Sequence, residues 1–283
     1  MKKLGALSCA ILATTLVGCA ATPKSYDNDQ SRALNLARAG GIYDQDLRDS
    51  PDGMTSYRRG IIEKVLDIAS LATSFDAPLR HMTGSQTFIF NATDITARAD
   101  KPSGRPSLIG WMPKSQAISE DEAYEKYVQT VDSAIESVAD DMNLIATKLD
   151  NVRVPKIEGK PLILWSLESE HYGCGARECL VVYNIRQPYE WKTPAFVEGG
   201  QPESYNTPAN HPENYSRLIF RQSGDTDTAD FPMDDFYRAI SAELPPWMVM
   251  YFPPNTVFQE SRAISYPVIY EQGNQLMFKD PDA

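Results

Sequence analysis

Positive charge, histidine and cysteine are all scarce in this chain, and no apolar run is long enough to cross a bilayer. Its 27 Lys and Arg stand against 38 Asp and Glu, for a formal net charge of −11. A surface this negative repels nucleic-acid phosphates and anionic headgroups, so no nucleic-acid partner is expected. The three histidines are His81, His171 and His211. None sits in a His-Glu-x-x-His pattern, and Gly-x-Ser-x-Gly, Ser-x-x-Lys and the Gly-Lys-Ser/Thr phosphate loop are missing too. The motif-bearing hydrolases and nucleotide enzymes therefore lose support, no catalytic residue is assigned and no cofactor is implied. A Ser/His/Asp site assembled only in three dimensions leaves no such trace. The longest apolar run, residues 4–17, has about 14 residues, short of the ~20 that a membrane-spanning helix needs.

That run has a context of its own. Met1-Lys2-Lys3 precedes it and Gly18-Cys19 closes it, which is the charged start, apolar middle and small-residue end of an export signal. Leu16-Val17-Gly18-Cys19 resembles the lipobox of bacterial lipoproteins, and the resemblance covers the leader only. It implies diacylglyceryl transfer to the Cys19 thiol, cleavage before Cys19 and acylation of the new amino group. Two or three acyl chains, at ~0.8 kcal/mol per buried CH₂, hold a protein on a membrane without any spanning helix. Ala20 and Ala21 follow Cys19, where the resemblance associates an Asp with inner-membrane retention. Outer-membrane sorting, facing the periplasm, is therefore expected, with the membrane reached through lipid on Cys19.

Loss of Lys2 and Lys3 with the leader makes the remaining chain two charges more negative. Residues 1–18 are thus read as signal peptide and residues 19–29 as lipidated Cys with a flexible tether. Residues 30–283 are read as a single α+β periplasmic domain. Cys9 leaves with the signal and Cys19 is acylated, so Cys174 and Cys179 remain. In an oxidising compartment this pair is expected to form a disulfide. Glu168, Glu170 and His171 lie nearby, but their spacing matches no zinc signature. Asp225, Asp227 and Asp230 fail as a helix-loop-helix calcium loop, because the sixth and twelfth positions are Asp230 and Phe236 rather than Gly and Glu. No metal is assigned.

Helix-like periodicity marks residues 31–39, 56–74 and 234–244. The strongest helix begins at Ser119, where Glu122 three residues on completes a capping box. Tyr124, Val128, Val131, Ile135, Val138, Met142, Ile145 and Leu149 step by four and three, so one seam is predicted over about seven turns. Packing on the domain's own sheet is the reading preferred over a coiled coil with another subunit. Residues 98–114, with three prolines and two glycines, read as a solvated basic connector holding at most a short strand at Leu108-Ile109. Strands are expected at residues 86–91, 162–167, 179–185, 217–222, 247–252, 268–271 and 275–278. Helices early and strands late argue for α+β: a mainly antiparallel sheet with a long amphipathic helix and several shorter helices packed on it.

Residues 188–214 read as a long loop. Its aromatics, Tyr189, Trp191, Phe196 and Tyr205, stand among five prolines. Long irregular loops often bind, and aromatics stack on sugars, peptides or protein surfaces. The alternative is a proline-stiffened cover that buries those rings, and the pattern leaves both open. The expected function is a lipid-anchored periplasmic binding or accessory protein of the cell envelope, with an envelope protein or a glycan as partner. An envelope hydrolase with a site unreadable from motifs and a structural subunit of an envelope assembly are the alternatives.

Overall fold

A computed structural model of the chain describes residues 25–45, 47–51, 101–149, 156–157, 160–211, 214–222, 231–253, 266–279 and 281. The helix expected over 56–74 and the strand over 86–91 lie outside them, as do Cys19 and the leader. The described residues form a mixed α/β structure with antiparallel sheets and three α-helices. The helices are α1 (Arg32–Ala39), α2 (Glu120–Asp141) and α3 (Met233–Glu243). Two shorter helices thus accompany the 22-residue α2, where several had been expected. None of the three is long and apolar enough to cross a membrane.

The strands are β1 (Ser107–Pro113), β2 (Ile145–Lys148), β3 (Lys156–Ile157), β4 (Lys160–Pro161), β5 (Ile163–Ser169) and β6 (Cys174–Asn184). They continue with β7 (Tyr189–Lys192), β8 (Glu203–Thr207), β9 (Arg217–Gln222), β10 (Met248–Phe252), β11 (Val268–Glu271) and β12 (Asn274–Met277). A six-stranded sheet runs β12-β11-β10-β1-β8-β7 and a four-stranded sheet runs β2-β5-β6-β9, with β3-β4 a small ladder apart. The two larger sheets meet along β1. Its second half, Gly110 to Pro113, pairs with β8, while in its first half Leu108 N–H donates to the carbonyl of Ser216, one residue before β9 (2.8 Å). β1 is therefore a fork: β10 lies along one flank, and the other flank splits between the two sheets.

The connector expected over residues 98–114 is thus corrected. Every residue of β1 is buried, because helices cover both of its faces. Side chains alternate along a strand, so Ile109 and Gly110 point opposite ways. A Cβ on Gly40, at the end of α1, would come within 2.5 Å of Ile109, which sets α1 on that side. On the other side Tyr127 of α2 occupies the space a side chain at Gly110 would need, 2.4 Å from an ideal Cβ. The Tyr127 hydroxyl donates to the carbonyl of Tyr205 in β8 (2.8 Å) and accepts from Met112 N–H in β1 (3.0 Å). Burial pushes its pKa well above the usual phenol range. The glycine that looked like punctuation is a docking notch, the use of strand Gly that lets another group approach closely.

α2 starts as its sequence predicts. Ser119 Oγ accepts from Glu122 N–H (3.2 Å), although Glu122 returns its bond to Ile118 N–H (2.8 Å), one residue before the cap. That bond, with Lys126, holds the Glu122 carboxyl below its ordinary pKa. The seven-turn seam is corrected at its far end. Asn143 takes φ 54°, and Leu144 N–H bonds Ala139 O (2.7 Å) while Asn143 N–H bonds Asp140 O (3.0 Å). This is a Schellman stop with Asn in the left-handed position. Ile145 and Leu149 then continue in and beyond β2 rather than in the helix.

Along the buried stripe of α2, Tyr127 faces the six-stranded sheet and Asp132 the four-stranded one. Asp132 Oδ1 accepts from Trp165 Nε1 (2.9 Å) and Tyr183 OH (2.6 Å), and Oδ2 accepts from Lys148 Nζ (2.6 Å). Burial and the Asp132 bond both raise the Tyr183 pKa. α3 lies on the same side. Its Phe236 and Tyr237 pack among Phe220 of β9, Phe231, Phe252 of β10 and Tyr270 of β11. On the opposite face Arg32 of α1 clamps Glu271 of β11 through two hydrogen bonds (2.6 and 2.7 Å).

Gly110→Ala should force Tyr127 out of its notch and lower unfolding free energy by about 1–3 kcal/mol, the usual cost of overpacking. Tyr127→Phe should cost about 1–3 kcal/mol by leaving two buried backbone groups unbonded. Urea denaturation of both variants measures this, and wild-type midpoints would contradict the docking described.

Candidate functional site

Cys174 and Cys179 form a disulfide, with Cα atoms 5.4 Å apart. The expected bridge lies within one strand, since both cysteines belong to β6. Opposite them, Leu167 pairs with Cys179 and Ser169 with Cys174. β6 therefore carries three more residues than β5 over this stretch, and residues 175–178 bulge out, all exposed. The disulfide ties the two ends of that bulge. Inside it Gly175 N–H bonds Glu178 Oε2 (2.9 Å) and Arg177 N–H bonds Ser166 Oγ (3.0 Å), with Arg177 at φ 65°. The hairpin turn lies just before, where Gly173 takes φ 62°, a backbone shape that suits glycine.

His171 stands exposed beside Tyr172, their rings 4.6 Å apart. His211 sits elsewhere, its Nδ1 accepting from Asn214 N–H (2.9 Å). Among the described residues no group of three His, Cys, Asp or Glu side chains is placed to hold a metal ion. Asp234 and Asp235 occupy the first turn of α3, where the helix dipole favours acidic groups. Asp225, Asp227 and Asp230 lie outside the described residues.

The long loop over residues 188–214 is corrected to a hairpin, β7 and β8, with a ten-residue connection between its strands. Pairing then sorts the four aromatics. Tyr189 faces Asn206 and Trp191 faces Ser204, whereas Tyr205 faces Glu190 and Met112. The period of two puts Tyr189 and Trp191 on the α1 side of the sheet and Tyr205 on the α2 side. Tyr205 is 1% exposed and belongs to the core. Phe196, in the connection, packs edge-on against Tyr26 at 5.3 Å.

What stays open to solvent is a small aromatic shelf at the sheet edge. Trp191 is 44% exposed, and its ring lies 6.2 Å from that of half-buried Tyr189 at 70°. The Arg186 guanidinium sits 5.5 Å from the Tyr189 ring centre, and Tyr43, 60% exposed, is near enough to raise the Tyr189 pKa alongside the larger effect of burial. Beneath the shelf Ser204 Oγ donates to Asn206 Oδ1 (2.5 Å), which fixes the strand under the two rings. Two rings set at an angle, beside a guanidinium, can stack on the apolar face of a sugar or side chain and donate to a neighbouring oxygen.

The hub at Asp132 escaped sequence reading. Its partners lie 16, 33 and 51 residues away, and an acid inside a charged helix looks solvated. Tyr189-x-Trp191, by contrast, carried a signal in its alternation. Comparison with family models, characterised proteins and solved structures finds no match to this chain.

Two outcomes separate shelf from core. Trp191→Ala should leave the melting temperature nearly unchanged, whereas Tyr205→Ala should cost about 3–5 kcal/mol, as buried aromatic truncations do; equal losses would place Trp191 in the core. Replacing Cys174 and Cys179 together by Ala should cost about 2 kcal/mol, since so short a loop restricts the unfolded chain little. Thiol titration of the denatured, unreduced protein should find neither cysteine reactive.

Proposed function

We propose that the chain is a lipoprotein precursor of the bacterial cell envelope, anchored through Cys19 at the outer membrane and facing the periplasm. Its folded part acts there as a binding or accessory protein. The observation that carries this reading is the Cys174–Cys179 disulfide. Structural disulfides persist in exported proteins and are rare in reducing cytoplasm, so the bridge agrees with the compartment that the Lys2-Lys3 start and the Leu16-Val17-Gly18-Cys19 box imply. Support for binding rather than chemistry comes from the shelf at Trp191, Tyr189 and Arg186, the exposed aromatic group with a donor at hand. Its partner in this reading is an envelope protein or a glycan. The fold is taken to be finer than the described residues display, with several shorter helices beside the long amphipathic α2, of which α1 and α3 are two.

Cys19→Ser tests the anchor. Acyl labelling in cells should vanish, and the protein should accumulate as an unprocessed precursor or in soluble form. Normal labelling with correct cleavage in that variant would overturn the reading.

A further inference from the structure

The six-stranded sheet ends at β7, whose outer flank pairs with no strand among the described residues. Glu190, Trp191 and Lys192 are exposed there. The carbonyl of Trp191 accepts from Ser204 Oγ (3.3 Å) and Thr193 N–H donates to Pro202 O (3.2 Å), so both turn inward to β8. Backbone groups alternate along an antiparallel strand, and those of Glu190 and Lys192 therefore point outward. Glu190 N–H shows the direction: it reaches Glu120 Oε1 at the start of α2, over a long 3.4 Å.

We infer that this edge pairs with the same edge of a second copy of the chain, antiparallel, about a two-fold axis at Trp191. Only residues whose groups point outward can exchange backbone bonds across the junction. A register with Glu190 opposite Glu190 faces like charges and brings Pro188, which has no N–H, opposite Lys192. Setting Lys192 opposite Lys192 repeats both faults, with Pro194 opposite Glu190. The register centred on Trp191 has neither. Each Glu190 then faces Lys192 of the second copy, and each such pair exchanges both of its backbone bonds. The alternation of sign already present in the sheet continues across the junction. Lys192 pairs with Glu203 of β8 on its inner flank, and Glu190 holds Lys114 Nζ at 2.7 Å. In the dimer each Glu190 thus lies between two lysines and each Lys192 between two glutamates. A carbonyl of the second copy replaces the long, exposed bond to Glu120.

Edge pairing leaves the shelf open. Residues directly opposite each other share a face of the sheet, so both Trp191 rings stand on the α1 side, off the plane in which the new bonds form, with a Tyr189 ring beyond each. The two shelves merge into one longer row of rings on which the partner of the reading above can stack. The pairing itself depends neither on that partner nor on Cys19, so its failure would leave the binding and anchoring readings standing.

Sedimentation equilibrium of the full-length protein purified in detergent should show a dimer that dissociates on dilution, and Glu190→Lys should leave only monomer. Oxidation with copper phenanthroline in intact cells, followed by a non-reducing gel, then reads the register. Cysteines on the axis at Trp191→Cys have Cα atoms about 4.5 Å apart, within reach of a disulfide, and should give a band of twice the monomer mass. At Tyr189→Cys the two copies lie about 13 Å apart along the strands, and the band should be severalfold weaker. The unsubstituted chain sets the background from its own cysteines. On the Trp191→Cys chain, Glu190→Lys or Lys192→Glu alone should cut the band severalfold, while co-expression of the two should restore it, because every Lys then faces a Glu. A monomer at every concentration overturns the pairing whatever the cysteine variants do. Bands equal at the two positions, or charge changes without effect or without restoration, overturn it as well, and leave Glu190 and Lys192 as charges that guard the edge against pairing.

Discussion

Tyr127 reaches into the space that Gly110 leaves empty and bonds β1 and β8 through one hydroxyl. Much of the architecture depends on that fit. It fixes the depth at which α2 can lie on the six-stranded sheet, and hence where the next turn of the helix meets the four-stranded one. Five residues on, Asp132 gathers donors from β2, β5 and β6. A carboxylate at 17% exposure is costly to bury without such partners. Three donors satisfy it, and the helix becomes a bar bolted to both sheets.

The fork in β1 gives the bar its purpose. A strand shared between two partners on one flank leaves a seam between the sheets, and α2 and α3 close it from one side. The aromatic cluster around Phe220, Phe236 and Phe252 draws on β9 and β10 together, so burying it joins the sheets. Each fully buried large side chain contributes about 1.5–3 kcal/mol, which makes this cluster weightier than the exposed Lys126–Glu122 pair, worth at most about 1 kcal/mol. On the other side α1, clamped by Arg32 to Glu271, carries the point where the chain turns toward the proposed anchor. The exposed shelf at Trp191 shares that side of the sheet.

The capping of α2, the cysteine pairing and strands such as 217–222 and 268–271 are legible in sequence because each depends on neighbours a few residues apart. Asn143 belongs with them: a residue that tolerates the left-handed conformation, standing where the helix stops, although the periodic seam running past it hid the stop. The seam itself ran on because Ile145 and Leu149 match its spacing, although Ile145 stands 67% exposed in β2 and Leu149 lies just beyond it. Local pattern reports spacing, and not which element a residue joins or whether that element buries it.

Only the tertiary structure decided the rest. Residues 98–114 read as a connector because proline and glycine carry the same letters in a turn as in a docking notch, and Tyr127, which fills the notch, lies 17 positions from Gly110. Tyr189, Trp191 and Tyr205 looked alike within one proline-rich stretch, yet a single step of strand parity sends Tyr205 into the core and leaves Trp191 in solvent. The sequence by itself determined the disulfide partners and the mixed composition of helix and strand. Which face each side chain takes was set by register between strands distant in the chain, because pairing depends on how the whole sheet closes and not on any one segment.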